Sequence, residues 1–80
     1  MIEIKAMNFT QFDEYQDYIE ELEDKKTKQN KISRCIAIWI MKHIYDIDVA
    51  ATDLTPGQIM SIVRKTVEAT LAEEQEQEKN

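Results

Sequence analysis

The spacing of apolar side chains divides the chain into segments. Ile32, Cys35, Ile36, Trp39, Ile40, His43, Ile44 and Ile47 fall at i, i+3, i+4, i+7, i+8, i+11, i+12 and i+15, one face of a helix. Ile38, Met41 and Tyr45 form a second stripe beside it, at steps of three and four. A helix that is apolar on more than one side is buried on more than one side. This segment, predicted over 31–46, should therefore be the central element, contacted by both neighbours or by a partner chain. Ile36 to Ile40 would also suit a β-branched strand. The helical period, however, persists over the 16 residues from Ile32 to Ile47, whereas strands average about 5–6.

Upstream, Phe12, Tyr15, Ile19 and Leu22 recur at steps of three, four and three, a narrow apolar seam. Thr10 with Asp13 three positions later approximates a capping box, and Phe9 is placed as its hydrophobic staple, so a helix is predicted over about 10–27. Its other faces carry Asp13, Glu14, Asp17, Glu20, Glu21, Glu23 and Asp24. Lys25, Lys26 and Lys28 follow, a polarity that the helix dipole favours. Ile2-Glu3-Ile4-Lys5 alternates apolar and polar, which predicts a short extended lead-in. Asp46 to Leu54 predicts a loop. Thr55-Pro56-Gly57-Gln58 is a full capping box with Pro at the first helical position, opening a third helix over 56–72 with Ile59, Ile62, Val63, Val67 and Leu71 as its apolar face. Residues 73–80 hold four Glu and two Gln, and are expected to be an acidic tail, a frayed helical end or a disordered segment. The fold class is thus all-α: one three-helix domain over 1–72 with a short extended N-terminal segment and the acidic tail.

Composition supports helices and narrows function. One Gly and one Pro among 80 residues leave little material for tight hairpins or phosphate-cradling loops. Sixteen acids against ten bases give a net charge of −6, which opposes nucleic acids and anionic membranes as partners. The longest apolar run, Cys35 to Met41, is far shorter than the roughly 20 residues of a membrane span, and the N-terminus lacks the pattern of a secretion signal. With one cysteine, in an apolar stretch, the expectation is a soluble cytoplasmic protein. About fifteen core candidates at roughly 1.5–3 kcal/mol each barely offset the ordering cost, so a homo-oligomer would gain stability.

Polar groups suited to chemistry are sparse. His43 is the sole histidine and lies eight helical residues, about 12 Å, from Cys35, too far for a catalytic pair. Asp46, Asp48 and Asp53 fail the calcium-loop pattern, because Ala50, Ala51 and Gly57 stand where ligands and the turn glycine belong. No enzyme, metal or cofactor is expected. Lys25, Lys26, Lys28, Lys31 and Arg34 form a basic cluster without an intervening acid; the segment downstream lacks the short turn and basic recognition helix of a helix-turn-helix, so the cluster should pair with the acidic first helix, in this chain or in a neighbouring copy. The acidic helix also fits a second class, a small inhibitor or DNA mimic that binds a basic protein surface. The apolar excess of the central helix nominates Ile38, Met41 and Tyr45 as a protein-binding stripe, on which Met41→Asp would weaken association and spare helicity.

Ala6-Met7, Phe9, Phe12-Asp13-Glu14-Tyr15, the apolar central segment and Asp53-Leu54-Thr55-Pro56-Gly57-Gln58-Ile59 together resemble the small tail assembly chaperones of long-tailed bacteriophages, over most of residues 5–72. That resemblance implies a mostly helical, non-enzymatic protein of the host cytoplasm that binds the tape measure protein, recruits major tail protein subunits and is absent from the finished virion. It also implies that a C-terminally extended, frameshifted form can exist, beginning near the acidic tail.

Overall fold

In the computed structural model, which describes the backbone of residues 2–79 and the side chains of residues 2–72, three helices follow an extended lead-in: α1 (Phe9–Asp24), α2 (Gln29–Tyr45) and α3 (Pro56–Lys79). The chain is all-α, with no strand among the described residues. The acidic tail expected over 73–80 falls outside the described side chains, and the helical backbone of α3 is drawn on to Lys79.

The ends of α1 differ from expectation for identifiable reasons. Its cap is Asn8, not Thr10: the Asn8 side chain accepts from the Gln11 amide at 2.8 Å, and the Gln11 side chain accepts from the Asn8 amide at 2.9 Å. This reciprocal pair satisfies two of the helix's unpaired donors, which the Thr10 and Asp13 alternative would leave in water. The shift of register moves Phe9 to the first helical position, where it is 87% exposed and is no staple. Its place is taken by Met7, buried, and Phe12, packed on the core. α1 then stops three residues short of the predicted end. Lys26 adopts a left-handed conformation (φ 58°), and the amides of Lys26 and Thr27 turn back to the carbonyls of Glu23 and Leu22, a Schellman closure made without glycine.

α2 begins two residues earlier than predicted and ends at Asp46, itself left-handed (φ 56°), with the Ile47 amide donating to the Met41 carbonyl. The capping box of α3 is as expected: Thr55 and Gln58 bond reciprocally, at 2.8 and 3.2 Å.

α2 is the central element. It packs against both α1 and α3, and these are the helix pairs in direct contact among the described residues. Of nine buried apolar side chains, five belong to α2: Ile32, Ala37, Ile40, Met41 and Ile44. Against α1 it forms an aromatic seam, with Trp39 6.0 Å from both Tyr15 and Tyr18 and stacked on His43 at 4.5 Å. His43 therefore covers a face of the indole and stays exposed, rather than joining the core as its place in the periodic face suggested. The lead-in lies along the other side, with Ile2 packed on the core and Glu3 and Lys5 turned to water, as the alternation predicted.

The α3 face contains a feature that hydropathy concealed. Thr66 (0% exposed) and Thr70 occupy core positions, while Leu71, predicted for the core, is 41% exposed. Ile59, Ile62, Val63 and Val67 pack inward as predicted, joined by Thr66 and Thr70, and the two threonines solve a backbone problem. The Thr66 hydroxyl donates to the Ile62 carbonyl at 2.7 Å, so the Tyr45 hydroxyl must supply the proton between them, and in turn accepts from the Lys5 amide at 3.0 Å. The Thr70 hydroxyl donates to the Thr66 carbonyl and accepts from the buried Met7 amide at 2.9 Å. A strand-like lead-in without a sheet has amides to satisfy, and these hydroxyls satisfy two of them. Hydrogen bonding thus ties the N-terminus to α3 across 63 residues of sequence.

Candidate functional site

An open groove of about 600 Å³ runs between the first half of α2, the 46–55 loop and the start of α3. Ala37, Ile38, Val49, Leu54, Pro56, Ile59 and Met60 line it, and its only polar lining comes from Asn30, Ser33 and Arg34. The groove exists because the molecule is flat, 40 × 35 × 18 Å: the thin dimension is under two helix diameters of about 10–12 Å, so no third layer covers the junction of α2 and α3. Ile38 on one wall and Met60 on the other are two of the four large apolar side chains left exposed among the described residues.

The stripe proposed from sequence does not survive as a surface. Met41 is 0% exposed, enclosed by its own chain. Tyr45 is half-buried and its hydroxyl is occupied by Lys5 and Thr66. Ile38 alone of the three is open to solvent, at 44%. The correction has a geometric reason. α2 is contacted by α1, α3 and the lead-in, so its buried arc is wide: Met41 joins the common core cluster, and Tyr45 is held by the lead-in and α3. The groove residues Val49, Leu54 and Met60 were not nominated. Val49 and Leu54 belong to a loop without periodicity, and the exposure of Met60 follows from the rotation of α3 that turns Thr66 inward.

The remaining candidates have structural roles. Asp48 accepts from the Ala50 amide at 3.0 Å, fixing the turn, and Asp46 ends α2. Among the described residues no group of three or more His, Cys, Asp and Glu is arranged to hold a metal ion, and no helix is long and apolar enough to cross a membrane. Cys35 is half-buried beside Tyr18, whose phenol is raised above the ordinary tyrosine range by burial first and by Cys35 next. Tyr15 is raised as well, by burial alone.

Charge is distributed as two unneutralised surfaces. Among the described residues the ion pairs are Lys25 with Glu21 at 3.0 Å and Arg64 with Glu68 at 3.9 Å, both exposed and both within one helix or its cap. Among the described residues Lys26, Lys28, Lys31 and Arg34 meet no carboxylate, so there the expected pairing of the basic cluster with α1 is made by Lys25 alone. Asp13, Glu14, Asp17 and Glu20 are likewise exposed, without a cation partner among the described residues. Comparisons with protein-family models, with curated proteins and with solved structures find no match to this chain.

Proposed function

We propose that this chain is a non-enzymatic protein-binding factor of the phage tail assembly chaperone type, acting in the host cytoplasm. Its α2/α3 groove takes an amphipathic helix of the tape measure protein, and the bound complex recruits tail tube subunits. One observation supports the reading: an open apolar groove about 600 Å³ in volume, with exposed Ile38 and Met60 on facing walls, the kind of surface on which the apolar face of an amphipathic helix docks. The acidic exterior keeps a complex with an aggregation-prone client in solution.

The test is co-expression with the tape measure protein and the major tail protein of the same genome. Wild type should keep the tape measure soluble and co-purify with it, and Ile38→Asp and Met60→Asp, which leave the helices intact, should lose it. A tape measure that stays soluble and bound to both variants would refute the groove as its site. A gene lying away from tail genes would refute the family. The exposed acids of α1, without ion-pair partners among the described residues apart from Glu21, favour one other reading, a small acidic inhibitor that covers a basic protein surface. That reading requires binding to vanish when Asp13, Glu14 and Asp17 are changed to their amides, and to be indifferent to Ile38.

A further inference from the structure

Two exposed stripes of this molecule are complementary in both chemistry and spacing. On α1, Phe9, the most exposed large apolar side chain, is followed by Asp13 and Asp17 at steps of four, all on one face and all in water. On α2, Ile38 is preceded by Arg34 and Lys31 at steps of four and three, again on one exposed face. With a rise of about 1.5 Å per residue, the acids lie about 6 and 12 Å from Phe9, and the bases lie about 6 and 10.5 Å from Ile38. The two ladders run in opposite chain directions. None of the four charged groups has an ion-pair partner in its own chain among the described residues.

We propose that a second copy of this chain docks on α2, its α1 lying antiparallel so that Phe9 meets Ile38 while Asp13 and Asp17 face Arg34 and Lys31. The occupant is a second copy because both halves of the contact are present on one chain. The parallel orientation would place Phe9 against the bases and an acid against Ile38, so charge fixes the direction as well as the partner. The apolar seam of α1 is unaffected, since Tyr15 and Leu22 stay buried in their own molecule. The contact does not depend on the client reading, but it covers Ile38 and Arg34 on the α2 wall of the groove, so self-association and occupation of the groove exclude one another.

The experiment is sedimentation velocity of the full chain over a wide concentration range, with circular dichroism confirming the fold of each variant. Wild type should show a mass that rises with concentration. Phe9→Ser should weaken association about tenfold, the loss of a central aromatic anchor. The double reversals Asp13→Lys with Asp17→Lys, and Lys31→Glu with Arg34→Glu, should each sediment as monomers. Mixing the two should restore association, because the basic α1 of one variant meets the acidic α2 of the other. A wild type that is monomeric throughout, association unchanged by Phe9→Ser, or a mixture that stays monomeric would each overturn the proposal. So would a monomer that binds RNA through Lys31 and Arg34. Phe9→Ser leaves the groove intact and should still bind the tape measure protein, so failure of this contact and failure of the client reading are separable.

Discussion

Replacing Met41 tests the central correction. If Met41 lay on an exposed client-binding stripe, Met41→Asp would remove association and leave the helices unchanged. In the fold it is fully enclosed, within a cluster that includes Ile40, Ile44, Ala37 and Val63. Truncation to Ala should cost about 2–5 kcal/mol in lost transfer energy and cavity. The total stability of a domain this size is only about 4–12 kcal/mol, at roughly 0.05–0.15 kcal/mol per residue. Aspartate adds the cost of a buried carboxylate without a partner, several kcal/mol more, because Thr66 and Tyr45 already spend their hydroxyl protons on other acceptors. Met41→Asp should therefore unfold the domain, and Met41→Ala should lower its melting temperature by at least about 8 °C, at roughly 4–8 °C per kcal/mol. Ile38→Asp, three residues away but half-exposed, should keep wild-type helicity. The assay is urea unfolding followed by far-ultraviolet circular dichroism and by fluorescence of Trp39, the single tryptophan, which reports on the seam between α1 and α2. A Met41→Asp protein with the helicity and urea midpoint of wild type would refute the packing described here.

Two further outcomes follow from local structure. Asn8→Ala should cost about 1 kcal/mol in urea unfolding by breaking the capping box, whereas Thr10→Ala should be nearly neutral; the reverse order would place the start of α1 at Thr10. Burial holds the Tyr15 phenol above its unfolded value near 10, so its contribution is complete below about pH 10 and is lost as pH rises through the higher folded value. Tyr15→Phe should accordingly flatten the fall of stability above pH 10 without changing the acid side, and an unchanged alkaline slope would reject that cause.

Much of the architecture was legible in the residues because it depends on local rules. The three helices, the central place of α2, the capping box at Thr55 and Gln58 and the alternation of the lead-in all follow from periodicity and cap chemistry acting within a few residues. The end of α1 was less legible. Its closure puts Lys26 into a left-handed conformation where glycine is the usual signal, and nothing in the residue type announces that.

What the sequence determined by itself is which segments are helical and that α2 has more apolar surface than one neighbour can cover. Which of those side chains remain outside was decided by tertiary structure. Thr66 and Thr70 count as polar, yet they are buried because each has its bonds met there: Thr70 accepts the Met7 amide of the lead-in, and Thr66 bonds the Tyr45 hydroxyl, which in turn accepts the Lys5 amide. Those bonds set the rotation of α3, which leaves Met60 and Leu71 in water. Met41 and Tyr45 are covered from the same side, so Ile38 alone is left to the groove. Hydropathy is a property of a side chain, whereas hydrogen-bond satisfaction is a property of a pair of segments, here joined across 63 residues.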